Sequence, residues 1–191
     1  MPARSRNRVL EDNWVLEILD TDESFKWLES FDCDDEDLNE FFRKDAVPHK
    51  KELLAEIYSL RLIEATGESA FDPVAFVTFH NDAIQLSHKE RERLLPPSKA
   101  RYRSLPAVKI GRLGVEKEYQ RNNIGTNLLN MVKRLFVTQN RTGCRFLTVD
   151  AYNDPRVINF YERNDFRFLH EKDKNKDTRI MYFDLNRLKE G

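Results

Sequence analysis

The sequence predicts one α/β (α+β) domain built on a sheet with a central helical crossover, and three observations carry that expectation. The 191 residues are 40% hydrophobic and 11% aromatic, which suffices for one packed core and does not require two. Extended apolar segments dominate the first half, and strand-type and helix-type segments alternate after residue 107. No repeat and no Gly/Ser-rich or Pro-rich linker divides the chain. Residues 1–10 read as a flexible N-terminal arm and residues 11–191 as the domain.

Taken in order, Trp14 to Leu19 alternates apolar and polar residues as a strand does, and Glu23 to Trp27 begins a short helix. Asp34 to Val47 carries Leu38, Phe41 and Phe42 behind a capping-type acidic start, which predicts a helix ending before Pro48. Leu53 to Glu64 and Pro73 to His80 read as strands joined by the turn A-T-G-E-S-A-F-D-P. Ala83 to Leu95 holds a short helix followed by a P-P-S-K loop, and residues 82–104 have no assigned role. Ala107 to Val115 is a strand, Ile124 to Gln139 a helix and Phe146 to Ala151 a strand. Pro155 to Arg163 is a helix with Pro at its opening, and Phe166 to His170 with Ile180 to Leu185 forms a closing hairpin.

The formal charge is −1, from 32 basic and 33 acidic side chains, so the total points to no partner. Its distribution is lopsided: Glu11 to Glu40 holds thirteen acidic residues against Lys26, and Lys99 to Arg145 eleven basic residues against Glu116 and Glu118. Cys33 and Cys144 lie far apart without C-x-x-C spacing, which indicates neither a disulfide framework nor a zinc site. The N-terminal M-P-A-R-S-R-N-R has no apolar run behind it, and no segment approaches the roughly 18 apolar residues of a membrane span. A cytoplasmic protein without membrane partners or bound metal is expected.

The most informative stretch runs from Leu113 to Leu129, L-G-V-E-K-E-Y-Q-R-N-N-I-G-T-N-L-L, from an apolar strand through a polar turn into an amphipathic helix. Gln120, Arg121, Asn122, Asn123, Ile124, Gly125 and Thr126 offer backbone N–H groups in succession at the positive end of a helix dipole, where an anion is stabilised. Gly125 is free to adopt positive φ and admit a phosphate closely, and Asn123 also tolerates the left-handed region. A capped helix start without a ligand is the alternative on the turn alone.

That stretch resembles the pyrophosphate-binding signature of the GCN5-related N-acetyltransferase (GNAT) superfamily: Gln or Arg, two residues, Gly, one residue, then Gly or Ala. Gln120 takes the first position, Asn123 the first glycine and Gly125 the second. Downstream, V-D-A-Y-N-D-P-R-V-I-N-F-Y-E-R-N-D-F is similar to the second half of the same superfamily, with Asn153, Phe160, Tyr161 and Phe166 in place and Asp165 where a glycine is usual. The two motifs span about residues 106–170. The acidic F-D-C-D-D-E-D-L-N-E-F-F and the phrase K-I-G-R-L-G-V look like a narrower branch that includes aminoacyl-tRNA-acetylating toxins.

The resemblance implies a mixed, mostly antiparallel sheet with a splayed strand pair and flanking helices. It implies that acetyl-CoA lies along Leu113, Gly114 and Val115, its pyrophosphate on Gln120 to Thr126 and its arm hydrogen-bonded by Asn153. Tyr161 then protonates the departing thiolate and the Val115 N–H holds the thioester oxygen. The amine acceptor stays open, and Glu116, Glu118, His80 and Asp150 are alternative general bases. Lys133, Arg134, Arg141 and Arg145 offer a basic face to tRNA if they project together. The acidic Glu11 to Glu40 region suits a cationic peptide, a polyamine or a basic antitoxin, and pairing into a homodimer is common in the superfamily. A non-catalytic acyl-CoA or nucleic-acid binding module is the competing function.

Overall fold

The computed structural model describes residues 8–11, 13–63, 72–95, 102–140 and 143–189. Its strands are β1 (Arg8–Glu11), β2 (Trp14–Ile18), β3 (Glu56–Leu62), β4 (Ala75–Gln85), β5 (Ser104–Val115), β6 (Phe146–Tyr152), β7 (Arg167–Phe168) and β8 (Thr178–Asp184). The α-helices are α1 (Asp22–Phe25), α2 (Glu36–Glu40), α3 (Ala46–Lys51), α4 (His88–Leu94), α5 (Ile124–Thr138) and α6 (Pro155–Arg163). The expected turn at 65–71, the P-P-S-K loop and residues 1–7 of the arm lie outside the described residues, and Arg8–Glu11 pairs antiparallel with β2.

Two compact units make up the chain: the residues up to His80 with Ile110–Gln139, and Asn81–Lys109 with the residues from Asn140 onward. Strands β4 and β5 run through both. Within the first unit the strand order is β1-β2-β3-β4-β5, and within the second it is β4-β5-β6-β8-β7. β1, β2, β3 and β4 pair antiparallel in succession, as do β6 with β8 and β8 with β7.

The first unit buries both faces of its sheet, so its strands lack a simple polar alternation. On one face Ile57, Ser59, Phe76 and Thr78 stand together through the pairings Ile57↔Thr78 and Ser59↔Phe76. There Phe31, Phe42 and Phe76 stack edge-on or tilted at 5.0 to 5.8 Å between centroids, joined by Leu19 just after β2 and by Leu28 and Ala46 from the helical segments. On the other face Tyr58 and Phe79 meet, and Phe79 packs on Phe136 of α5 at 5.1 Å. The buried stripe Ile124, Leu128, Leu129, Met131, Val132 and Leu135 explains why the 3.6-residue period of α5 was legible in the sequence.

The helix expected to end before Pro48 continues through it. Phe41–Asp45 is a π-helical stretch in which the Ala46 N–H reaches back to the Phe41 carbonyl, and α3 restarts at Ala46. Pro48 therefore sits in the first turn of a renewed helix, where its missing N–H removes no intrahelical bond. The register shift also keeps Phe42 and Ala46 buried in the same cluster.

The second unit closes around Ile84, Leu86, Leu95, Leu105, Ala107, Phe146, Leu169 and Tyr182. Arg145 ties this core to the end of α4, with Nε and Nη2 donating to both carboxylate oxygens of Asp184 at 3.1 and 2.8 Å and Nη2 also to the Leu94 carbonyl at 2.6 Å.

β5 changes face within the first unit. A Cβ on Gly111 would meet the His80 ring at 2.8 Å and the Thr78 hydroxyl at 3.0 Å, and a Cβ on Gly114 would meet the Phe31 ring at 2.7 Å. Both positions point to the Phe76 face although they are three residues apart, which a regular strand of period two forbids. A bulge between them reconciles the two: the Arg112 N–H turns onto the Thr78 hydroxyl at 3.0 Å, and the Arg112 guanidinium lies over Phe41 on the Gly114 side of the strand. Replacing Gly114 by Ala forces the Phe31 ring to give way, with an expected loss of about 1–3 kcal/mol in denaturant unfolding. An unchanged unfolding midpoint would contradict the close packing.

Candidate active site

The bulged end of β5 runs into a network with the loop from Phe31 to Asp35. The Glu116 N–H donates to the Val74 carbonyl and the Lys117 N–H to the Asp32 carbonyl, each at 2.9 Å. The Asp32 N–H in turn donates to the Glu116 carboxylate at 3.3 Å. The Asp32 carboxylate pairs with Lys117 Nζ at 2.6 Å and accepts from the Asp34 N–H and Asn39 Nδ2, both at 3.0 Å. These donors, Lys117 first, hold its carboxyl well below the usual carboxylate range. Burial moves Glu116 the other way, raising its pKa, and the neighbouring Asp32 charge adds to the rise.

Gln120 departs from the expected phosphate cradle. Its backbone N–H donates to the Lys117 carbonyl at 3.4 Å, and its side-chain Nε2 donates to the Cys33 carbonyl at 2.7 Å and the Val115 carbonyl at 3.1 Å. The residue is exposed, and its side chain stitches the strand end to the loop. Of the two residues expected to be able to take positive φ, Asn123 (φ 59°) holds it and Gly125 lies within the first turn of α5, while Arg121 (φ 63°) holds it as well. The chain needs the left-handed turns before the helix begins, and once Ile124 starts α5 the following glycine takes ordinary helical geometry.

What remains of the cradle is coherent. Arg121, Asn122 and Asn123 are exposed, and Asn123 makes no side-chain cap on the helix it precedes. No acidic residue occupies the first turn of α5, and Ile124 anchors that turn in the core at 6% exposure. Alternating left-handed residues followed by an uncapped helix N-terminus gather N–H groups in the arrangement that receives a phosphate. Leu113 and Val115 are half-buried on β5, and Gly114 is buried.

In the second unit Asn153 follows β6 and is exposed, yet its amide donors are engaged: Nδ2 donates to the carbonyls of Lys174 and Lys176 at 3.0 and 2.9 Å, and its N–H to the Asp177 carbonyl at 2.8 Å. Only its Oδ1 is left to accept. Tyr161 lies on the inner side of α6, a helix capped by Asp154 and opened by Pro155 as its sequence indicates. Its ring packs edge-on against Phe160 and Phe166 at 5.1 and 5.3 Å, it is 6% exposed, and burial pushes its hydroxyl pKa up, so the phenol is protonated at neutral pH.

The alternative bases differ in surroundings. Asp150 is bound to Lys109 Nζ at 2.9 Å, Glu118 is exposed, and the His80 ring lies over Gly111. The basic face proposed for tRNA is broken up: Lys133 is buried, Arg145 is committed to Asp184 and Leu94, Arg141 lies outside the described residues, and Arg134 is exposed. Unforeseen from the sequence were Phe31, Asp32, Cys33 and Asn39, whose Oδ1 accepts from the Cys33 N–H at 2.8 Å. Their advance signals were the acidic capping start before Leu38 and the F-D-C-D-D-E-D-L-N-E-F-F resemblance, neither of which gave them a role. Among the described residues, no group of three His, Cys, Asp or Glu is placed to hold a metal ion, and no helix is long and apolar enough to cross a membrane.

A mixed sheet with a bulged strand leading into a phosphate-type turn defines the acetyltransferase class of fold. Residues 87–168 match the family described as acetyltransferase (GNAT) domain. Among solved structures, a tyrosine-to-phenylalanine mutant of KacT aligns with TM-score 0.70 at 19% identity, covering 94% of this chain and 99% of that one. AtaT complexed with acetyl-methionyl-tRNA aligns with TM-score 0.69 at 21% identity, covering 92% and 97%. AtaTR bound with acetyl-CoA aligns with TM-score 0.65 at 21% identity, covering 94% and 98%. These likenesses establish the GNAT fold. Curated proteins give no match.

Three buried weak acids set the alkaline limit of stability. Burial pushes the Cys33 and Cys144 thiols up to about 11 and raises Tyr161 further. Their folded pKa values lie above unfolded values of about 8.5 for Cys and 10 for Tyr, so their contribution is complete below pH ~8.5 and is lost as pH climbs through the folded values. The thermal midpoint is expected to fall progressively above pH ~8.5 in calorimetry, and a midpoint flat to pH ~11 would contradict the burial of these groups.

Proposed function

We propose that this chain is an acetyl-CoA-dependent N-acetyltransferase that moves the acetyl group onto a primary amine. The observation that carries the reading is the uncapped, acid-free start of α5, set behind left-handed Arg121 and Asn123 at the end of a bulged strand. The pyrophosphate is held by the N–H groups of Arg121 to Thr126, with the Arg121 guanidinium adding charge. The pantetheine arm lies along Leu113, Gly114 and Val115, where an extended ligand pairs with strand backbone. Asn153, with Nδ2 and N–H engaged, offers the arm its Oδ1 acceptor.

In the transfer a neutral amine attacks the thioester carbonyl carbon, forming the C–N bond. The carbonyl oxygen gains negative charge, which the Val115 N–H stabilises. The C–S bond then breaks and the sulfur takes a proton from Tyr161. The proton shed by the attacking nitrogen restores the phenol, so the exchange balances without a metal. This step suits a group that burial keeps protonated.

For the acceptor, the aminoacyl group of tRNA is the favoured candidate, supported by the AtaT complex with acetyl-methionyl-tRNA that aligns over 92% of the chain. An α-amino group, with its pKa near 8, is about one-tenth neutral at pH ~7, more than roughly 100-fold above a lysine amine, and so makes less demand on a general base. A basic antitoxin is the matching partner, supported by the structure of the AtaT toxin with the C-terminus of the antitoxin AtaR and by the acidic Glu11 to Glu40 region. A cytoplasmic location, one catalytic domain after a short arm, and pairing into a homodimer complete the reading.

Replacing Tyr161 by Phe separates an enzyme from an acyl-CoA binding module. Coenzyme A affinity by calorimetry is expected to stay within about 2-fold, and acetylation of aminoacyl-tRNA to fall roughly 10²-fold or more. A wild-type chain that binds no coenzyme A refutes the proposal. Undiminished turnover in Tyr161→Phe refutes the role of the phenol.

A further inference from the structure

We propose that Gln120 is a positioning residue that couples occupation of the phosphate turn to the Asp32–Asp35 loop, so that coenzyme A binding orders that loop. This rests on the cofactor reading above. The side chain of Gln120 straddles two pieces of backbone: one amide nitrogen reaches both Val115, at the end of β5, and Cys33, in the loop. The next residue, Arg121, is the first left-handed position of the turn. A phosphate that fixes Arg121 to Thr126 therefore fixes the backbone that carries Gln120, and Gln120 passes the constraint to Cys33.

The loop is built to transmit it. The Cys33 N–H donates to Asn39 Oδ1, the Asn39 amide donates to Asp32, and the Asp35 carboxylate caps α2 through the Leu38 N–H at 3.1 Å. Lys117 grips the same loop twice, through its N–H to the Asp32 carbonyl and its Nζ to the Asp32 carboxylate. Phe31 fills the space above Gly114. Asp34 holds φ 61°, a conformation that L-residues other than Asn and Asp seldom adopt, so the loop has one well-defined shape for the links to hold. From the residue before the cofactor turn to the start of α2 the links form a contiguous series of hydrogen bonds, one physical form that coupling between two sites takes.

Hydrogen exchange on the full chain, with and without coenzyme A, tests this. The amides of Asp32, Cys33, Asp34, Leu38 and Asn39 are bonded in the loop network, so their exchange reports its order. Coenzyme A is expected to slow exchange at 32–39 by about 5-fold or more, together with 113–126. In Gln120→Glu, which keeps the size and loses the donor, at coenzyme A concentrations that saturate the variant, slowing at 113–126 should remain while the response at 32–39 disappears. Gln120→Arg, which keeps donors, should restore it. Slowing confined to 113–126 in the wild type overturns the coupling and leaves the cofactor reading intact, and this arm needs no variant. An unaltered response in Gln120→Glu, or none in Gln120→Arg, overturns the assignment to Gln120. Failure of the wild type to bind coenzyme A in calorimetry overturns the cofactor reading and the coupling together.

Discussion

The close approach of Phe31 to Gly114 is the constraint on which the rest of the site depends. Without a side chain at 114 the aromatic ring sits directly on the β5 backbone, and the Phe31, Phe42 and Phe76 cluster can then continue across the sheet. That contact requires residue 114 to face the helices, which a regular continuation from Gly111 would not allow. The bulge at Arg112 supplies the one-residue shift, with the Thr78 hydroxyl accepting the N–H that leaves the ladder. Everything downstream, from Glu116 through Gln120 to α5, leaves the sheet in the direction this shift sets.

Two opposed electrostatic environments meet at the strand end. Asp32 is surrounded by donors and stays ionised, whereas Glu116 is half-buried and faces Asp32, which favours its protonated form. Lys117 belongs to Asp32, and Arg43, whose Nε donates to the Phe31 carbonyl at 2.7 Å, is the cation that opposes the rise in Glu116. Paired carboxylates divided in this way are a recurrent feature of sites that handle protons. The first turn of α5 carries no acidic residue, so the negative charge of the loop is kept off the positions that would receive an anion.

Much of the architecture was legible because local patterns and tertiary burial agree. α6 runs from Pro155 to Arg163 as its Asp-Pro opening indicates, and α5 and β6 match their apolar periods to within a residue or two. Legibility failed where long-range packing overrode a local rule. Pro48 ends a helix by propensity, but the π-helical stretch before it resets the hydrogen-bond register. Gly125 is the obvious holder of positive φ by composition, yet the chain direction needs the left-handed residues earlier, at Arg121 and Asn123. Lys133 and Arg145 look like members of a wet basic face, and only the three-dimensional partners show one buried and the other tied to Asp184. The Phe31–Asp35 loop was legible only as a segment of a motif, because the partners that tie it to the strand end, Glu116 and Gln120, lie more than 80 residues away.

Arg121 and Asn123, in seats that a glycine would fill at no steric penalty, change when the turn loses its freedom. A left-handed conformation costs these L-residues about 1–2 kcal/mol each relative to glycine, and their unfolded chains also sample fewer states. Part of the ordering is thus done during folding. A glycine-rich version of the same turn would keep more motion in the free protein and surrender it only on meeting its ligand. Here the turn is narrowed before an anion arrives, and the anion's bonds to the N–H groups complete the ordering of residues 121–126 and of the Gln120 backbone beside them.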